Sequence, residues 1–238
     1  MKLIKIGCCG YQKSKKEYFK NFSLVEIQST FYQPPQKIET VKRWRKEAPK
    51  NFEFTIKVWQ IITHPPSSPT YRRLKEKFGK KENYGFFQPT KEVFLAWEKM
   101  KEIANILSAK ILIFQTPSSF EQKRENIKNM EEFFKKIKRD FFILGWEVRG
   151  NWQKEVVKKI CQKLNLVHVV DPFTKKPLFG EINYFRLHGK GGYFYKYKKE
   201  DLKKLLKFCD KKINYVLFNN VYMFDDAKKF KTLVGKNE

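Results

Sequence analysis

Apolar residues recur along the chain with two periods, and the two periods alternate. Runs in which hydrophobic positions are continuous or fall on every second residue, the pattern of a strand, lie at 3–8, 24–28, 52–58, 110–115, 142–148, 166–171, 183–188 and 214–219. Between them, apolar positions three and four apart predict amphipathic helices at 37–48 ("KIETVKRWRKEA"), 91–107, 123–138, 153–164, 200–210 and 225–234, with a shorter one near 14–20. Only the connection from 171 to 183 lacks a helical pattern. Strands that alternate with helices build parallel sheets, and eight strands is the number that closes a (β/α)8 barrel. The pattern therefore predicts an α/β fold, a single TIM-type barrel over residues 1–238, with an open doubly wound sheet as its rival. The barrel is favoured because no GxGxxG follows the first strand and because the strands carry polar residues on one alternating face.

One segment breaks the rhythm. Residues 63–90, "THPPSSPTYRRLKEKFGKKENYGFFQPT", form a long Pro-rich, aromatic insertion after the third strand. Segments of this length without their own pattern are either functional or disordered. Tyr71, Arg72, Arg73, Tyr84, Phe86 and Phe87 make it too aromatic for a linker, so an ordered lid is expected.

Alternation also sorts the polar residues of the strands, since side chains two apart share a face. Gly145, Glu147 and Arg149 share one in "FFILGWEVRG", and Tyr184, Arg186 and His188 share one in "NYFRLHG". Glu26 in the second strand, Thr55 and Lys57 in the third, Gln115 in the fourth, Asp171 in the sixth and Asn219 in the eighth stand at or near C-terminal strand ends. In a (β/α)8 barrel that end is the active-site face. Buried ions must pair or meet a ligand, and the three acids Glu26, Glu147 and Asp171 are expected to neutralise the three bases Lys57, Arg149 and Arg186.

Composition narrows the class. Aromatics at 16% and hydrophobics at 41% predict a folded chain despite 32% charge. No 18-residue apolar run occurs, which predicts a protein without membrane partners. Four cysteines without CxxC spacing and only 3 His argue against a disulfide framework or a structural zinc site, and a reducing cytoplasm is the expected location. Cys8 and Cys9, beside Gly10, are read as packing residues before nucleophiles. The formal charge of +26 suits a polyanionic partner, although only 8 of the 51 basic residues are Arg and lysine spread over every predicted helix is also an ordinary solvated surface.

The motifs "IGCCGY", "VEIQSTFYQPP", "FEFTIKVWQIITH", "LIFQTPSSF", "GWEVRGNW", "VVDPF", "YFRLHGKGGY" and "YVLFNN" follow one another through nearly the whole chain. In this combination the sequence resembles the YecE-like proteins, known as domain of unknown function 72. The resemblance implies a TIM-type barrel and no settled activity. By motif it marks Gly7, Gly10, Tyr11, Glu26, Ser29, Thr30, Tyr32, Lys57, His64, Gln115, Pro117, Glu147, Arg149, Trp152, Asp171, Arg186, His188, Gly189 and Asn219. The chain departs from the commoner pattern where "GCCGY" replaces a GTSGW-like start and in its Pro-rich insertion.

Together these readings predict an enzyme that acts on a phosphate-bearing or otherwise anionic small molecule, or on nucleic acid, with phosphodiester hydrolysis as one candidate reaction. Glu26, Lys57, Glu147, Asp171 and His188 are the candidate catalytic groups. Tyr11, Tyr32, His64, Gln115, Arg149, Trp152, Arg186 and Asn219 are the candidate substrate contacts. Glu26 or Glu147 would act as general base and His188, titrating nearest neutrality, as general acid. Should a divalent metal (Mg, Mn or Zn) take part, Glu26, Glu147, Asp171 and His188 are its candidate donors. Aromatics interleaved with lysine in "GGYFYKY" could stack bases. A non-catalytic nucleotide- or nucleic-acid-binding module is the alternative.

Overall fold

The structure, a computed structural model, describes residues 2–236. Eight strands run in chain order: β1 Leu3–Cys9, β2 Leu24–Ile27, β3 Glu53–Lys57, β4 Ile111–Thr116, β5 Ile143–Val148, β6 Val167–Val169, β7 Asn183–Leu187 and β8 Ile213–Phe218. All seven ladders are parallel, in the spatial order β6-β5-β4-β3-β2-β1-β8-β7. The two ends of this sheet meet through a parallel bridge between Val170 and Phe185. There Arg186 N donates to Val170 O at 3.0 Å. The closure is thin because β6 is short: His168 N turns aside to Phe179 O at 3.0 Å.

Among the described residues seven longer helices wrap the sheet: α1 Lys15–Asn21, α3 Ile38–Glu47, α5 Lys91–Leu107, α6 Arg124–Lys136, α7 Lys154–Leu164, α8 Lys199–Phe208 and α9 Met223–Gly235. Single-turn helices α2 (Ser29–Tyr32) and α4 (Gln60–Thr63) follow β2 and β3. At four residues each they are too short to show a helical period. The ends of the helices obey local chemistry. Thr90 caps α5 by accepting from Val93 N, and α5 and α7 stop where Ser108 and Asn165 turn left-handed at φ 53° and 48°.

Alternation divides the core in two. One set of apolar residues fills the space between sheet and helices; a second, with Leu24, Ile113, Val169, Tyr184, Tyr215 and Leu217 among its members, fills the barrel interior. Gly145 faces that interior, and a Cβ there would lie 2.7 Å from Val169 Cγ2 and 2.9 Å from Ile113 Cδ1, so the barrel has no room for a side chain at this level. The apolar layer carries a polar one above it, at the C-terminal strand ends.

Residues 63–90 are ordered, with 3-10 turns at Pro69–Arg73 and Lys81–Asn83. Only part of the segment reaches the mouth. Tyr84 and Phe87 are buried in the core. Phe86 and Phe87 hold φ 52° and 54°, uncommon for aromatic residues. Phe87 N is fixed by Ile62 O at 2.9 Å. The aromatic content of the insertion thus reflects packing, with the Phe87 ring against Phe114 of β4 and Phe133 and Phe134 of α6, while Thr70 and Arg73 reach the barrel mouth.

Candidate active site

The mouth holds a cavity of about 430 Å³ whose walls include Lys57, His64, Gln115, Arg186 and Asn219. Gln28, Tyr32, Thr70, Arg73 and Tyr193 complete its polar edge. None of the Asp or Glu residues among those described lines it.

Under the cavity, Arg186 is fully buried and joins two carboxylates. Its Nη2 lies 2.9 Å from Glu26 Oε1 and its Nη1 binds Glu147 Oε2; Gln115 Oε1 accepts from the same Nη1 at 3.0 Å. Glu26 Oε2 accepts in addition from the Tyr184 hydroxyl at 2.8 Å. Glu147 Oε1 meets Arg149 Nη2 at 2.8 Å and His188 Nε2 at 3.0 Å. Burial alone would favour a protonated Glu147, but Arg186 and Arg149 outweigh it and hold the carboxyl well below the usual carboxylate range.

Two carboxylates are thus answered by two guanidiniums, and Lys57 is left over. Among the described residues no carboxylate or hydrogen-bond acceptor binds its Nζ, which sits 3.5 Å from the centre of the Phe31 ring. Burial, and then the charge of Arg186, lower its pKa to about 7, against the weaker pull of Glu147 and Glu26. The Phe31 face, which attracts a cation, opposes complete loss of the proton. The amine therefore exchanges a proton near neutrality, as an acid–base or nucleophilic lysine must. Beside it, burial and the charge of Lys57 lower His64 to about 3, so its imidazole is neutral. His64 Nδ1 lies 2.8 Å from Thr63 Oγ1.

The expected general acid and bases are differently employed. His188 has both ring nitrogens engaged, Nε2 by Glu147 and Nδ1 by Asn219 Nδ2 at 3.1 Å, and burial lowers its pKa. In the tautomer that accepts from Asn219, Nε2–H donates to Glu147, and Arg149 converges on the same carboxylate oxygen. The expected balance of three acids and three bases is replaced by two pairs and a free amine, because Asp171 turns away. Its oxygens accept from Phe173 N at 3.0 Å and His188 N at 2.9 Å, which fixes the strand end that carries His188. Asp171 is a positioning residue in this arrangement. The four donors named for a metal accordingly do not assemble: Arg186 stands between Glu26 and Glu147, and among the described residues no three His, Cys, Asp or Glu side chains come together as a metal set.

Two other expected contacts lie elsewhere. Gly10, at φ 103°, turns the chain so that Tyr11 packs edge-on against Tyr18 at 5.0 Å and against Phe19. Trp152 donates its indole N–H to Phe120 O at 2.6 Å and stacks on the Phe120 ring, tying two loops together beside the mouth. Of "GGYFYKY", Tyr197 is buried, while Tyr193 at 53% and Phe194 at 83% exposure stand open, Tyr193 at the cavity edge. Cys8 and Cys9 are buried free thiols, and burial raises Cys8 to about 12 and Cys9 well above the usual thiol range. Both are held as protonated thiols at neutral pH, the form that packs and does not attack.

Gln28, Phe31 and Thr70 were missed, whereas Arg73 and Tyr193, named for the insertion and for base stacking, also line the cavity. Gln28 contacts both Glu26 and Arg186 (Nη2 at 3.4 Å) and stands two residues after Glu26, so strand alternation could have found it. Arg73, whose guanidinium lies 4.5 Å over the Tyr32 ring, comes from a segment without any period.

A closed parallel sheet with a polar layer at its C-terminal ends defines a TIM-type α/β barrel protein. The chain belongs to the family described as "Protein of unknown function DUF72", which matches residues 7–238. It is similar to the "UPF0759 protein YunF" of Bacillus subtilis (strain 168), 30% identical over 118 residues that make up 49% of this chain and 36% of that protein. The match thus spans about a third of that relative's length. The crystal structure of a DUF72 family protein from Thermotoga maritima MSB8 superposes with a TM-score of 0.68 at 21% identity, covering 98% of this chain and 99% of that one. Another from Enterococcus faecalis V583 gives 0.73 at 20% identity over 98% and 96%. A D-psicose 3-epimerase crystallised with D-fructose shares the barrel at a TM-score of 0.53 and 11% identity over 91% and 90%, a likeness of fold alone. No described helix is long and apolar enough to cross a membrane.

Proposed function

We propose that the protein is an enzyme that binds a small phosphate- or carboxylate-bearing substrate in the mouth of the barrel, with Lys57 as the group that exchanges a proton with it. The observation that carries this reading is the unpaired Lys57 amine in a cavity whose walls present cations and amides and no carboxylate. A volume near 430 Å³ suits a metabolite. Arg73 at the rim and Lys57 within supply the charge for an anion, Arg186 being neutralised below. His64, neutral and on the same wall, can hydrogen-bond the substrate without changing its charge. Glu26 and Glu147 hold Arg186, and the base role first considered for them passes to Lys57.

Inorganic phosphate, citrate and a nucleoside monophosphate, titrated by ligand-detected NMR, test the reading. An anion should bind at pH 6, where Lys57 is charged, and Arg73→Ala should weaken it about tenfold, or ~1.4 kcal/mol, without lowering the melting temperature. No binding by any of the three, or binding indifferent to Arg73, overturns it. A nucleic-acid reading has one observation of its own, the exposed Tyr193 and Phe194 beside the mouth. Under it, a single-stranded oligonucleotide would bind with steep salt dependence and lose affinity in Phe194→Ala.

A further inference from the structure

We infer that Lys57 is a nucleophile which condenses with the carbonyl group of an anion-bearing aldehyde, ketone or 2-oxo acid to form a protonated imine. This rests on the small-anion reading of the mouth and names its substrate class.

A lysine needed only to hold an anion is best kept permanently charged by a carboxylate partner. Here the fold commits the two carboxylates whose charge acts on Lys57 to guanidiniums, Glu26 to Arg186 and Glu147 to Arg186 and Arg149, and presents the amine to the cavity with no acceptor among the described residues. The Phe31 ring, 3.5 Å away, covers Nζ with carbon, so no acceptor must be displaced before the lone pair is used. With a pKa near 7, about half of Lys57 is free amine at neutral pH. For a solvated lysine, with a pKa of about 10.4, the fraction is below roughly one in a thousand.

The step balances without an oxidant or reductant. The neutral amine's lone pair forms a C–N bond as the carbonyl π pair moves onto oxygen, and a proton passes from nitrogen to that oxygen to give the carbinolamine. One further proton, taken from solvent in the open mouth, lets the oxygen leave as water while the nitrogen lone pair forms the C=N bond. The product carries one positive charge where the ammonium had been, against the same Phe31 face and the same nearby Glu147 and Glu26 charges. Such an iminium withdraws electrons from the bond next to it.

Reductive trapping tests this on the whole unmodified protein. Pyruvate and, separately, dihydroxyacetone phosphate are added at pH 7 with sodium cyanoborohydride, and the modified lysines are mapped by peptide mass spectrometry. Lys57 should be labelled on the order of 10²–10³ times faster than surface lysines, and excess inorganic phosphate should slow it selectively. Faster labelling by pyruvate assigns a carboxylate-bearing substrate, and faster labelling by the triose phosphate a phosphate-bearing one. Labelling of Lys57 no faster than the surface background with both probes overturns the inference. If phosphate binding that depends on Arg73 persists in that case, the small-anion reading stands without imine chemistry; if it is absent too, both fail. Lys57→Arg, which keeps the charge and cannot form the imine, should show the background alone.

Discussion

Glu147→Gln separates the pairing network from ordinary strand packing. Glu147 is 4% exposed and meets three donors, Arg186 Nη1, Arg149 Nη2 at 2.8 Å and His188 Nε2 at 3.0 Å. Removing one partner of a buried ion pair costs about 3–5 kcal/mol. The amide keeps the shape and one acceptor, and Glu26 still holds Arg186 at 2.9 Å, so the lower end of that range applies. For a chain of this length about 3 kcal/mol lowers the melting temperature by roughly 6–12 °C. Because Glu147 is held below the usual carboxylate range, its contribution is complete above the unfolded-state pKa of about 4.3 and is lost as the pH falls through the depressed folded value. The difference between wild type and variant, measured by urea unfolding, should be constant from pH 6 to 8 and narrow below about pH 4. A variant within about 0.5 kcal/mol of wild type at pH 7, or a gap unchanged on acidification, refutes the network as described.

Lys57→Met should be more stable than wild type at pH 7. Between its folded pKa of about 7 and the unfolded value of about 10.4 the unfolded chain holds a proton the folded one lacks, so wild-type stability rises with pH in that window. The variant's advantage should be greatest at and below pH 7 and shrink toward pH 10 in urea titrations; a constant or growing advantage contradicts the burial of a free amine. Gly145→Ala should cost about 1–3 kcal/mol by overpacking the barrel interior, read as a lower urea midpoint, since its Cβ would lie within 2.9 Å of Ile113 and 2.7 Å of Val169.

The seven longer helices among the described residues were legible because each buries one face, which imposes a period, and the eight strands because both faces are buried, which leaves short apolar runs. The fourth strand was expected at 110–115 and spans Ile111–Thr116. Strand alternation placed Glu26, Lys57, Gln115, Glu147, Arg186 and His188 at one end of the barrel. Alternation gives a face and no direction within it. That Asp171 bonds backbone amides, that His188 has both nitrogens occupied and that Lys57 meets the Phe31 ring and no acceptor among the described residues depend on contacts between segments far apart in sequence. The place of Arg73 and Thr70 at the mouth was hidden for another reason: the segment that carries them is held by turns and buried aromatic rings, neither of which repeats.

Lys57, an amine with no acceptor among the described residues and a pKa lowered to about 7, can be watched directly in a lysine side-chain NMR titration. With the Lys57 signal assigned by its absence in Lys57→Arg, the carbon next to Nζ is followed from pH 5 to 11. The midpoint should lie close to 7 and move lower in Glu147→Gln because a charge that supports the ammonium is gone. A midpoint near the solvated value of about 10.4 would contradict the lowered value.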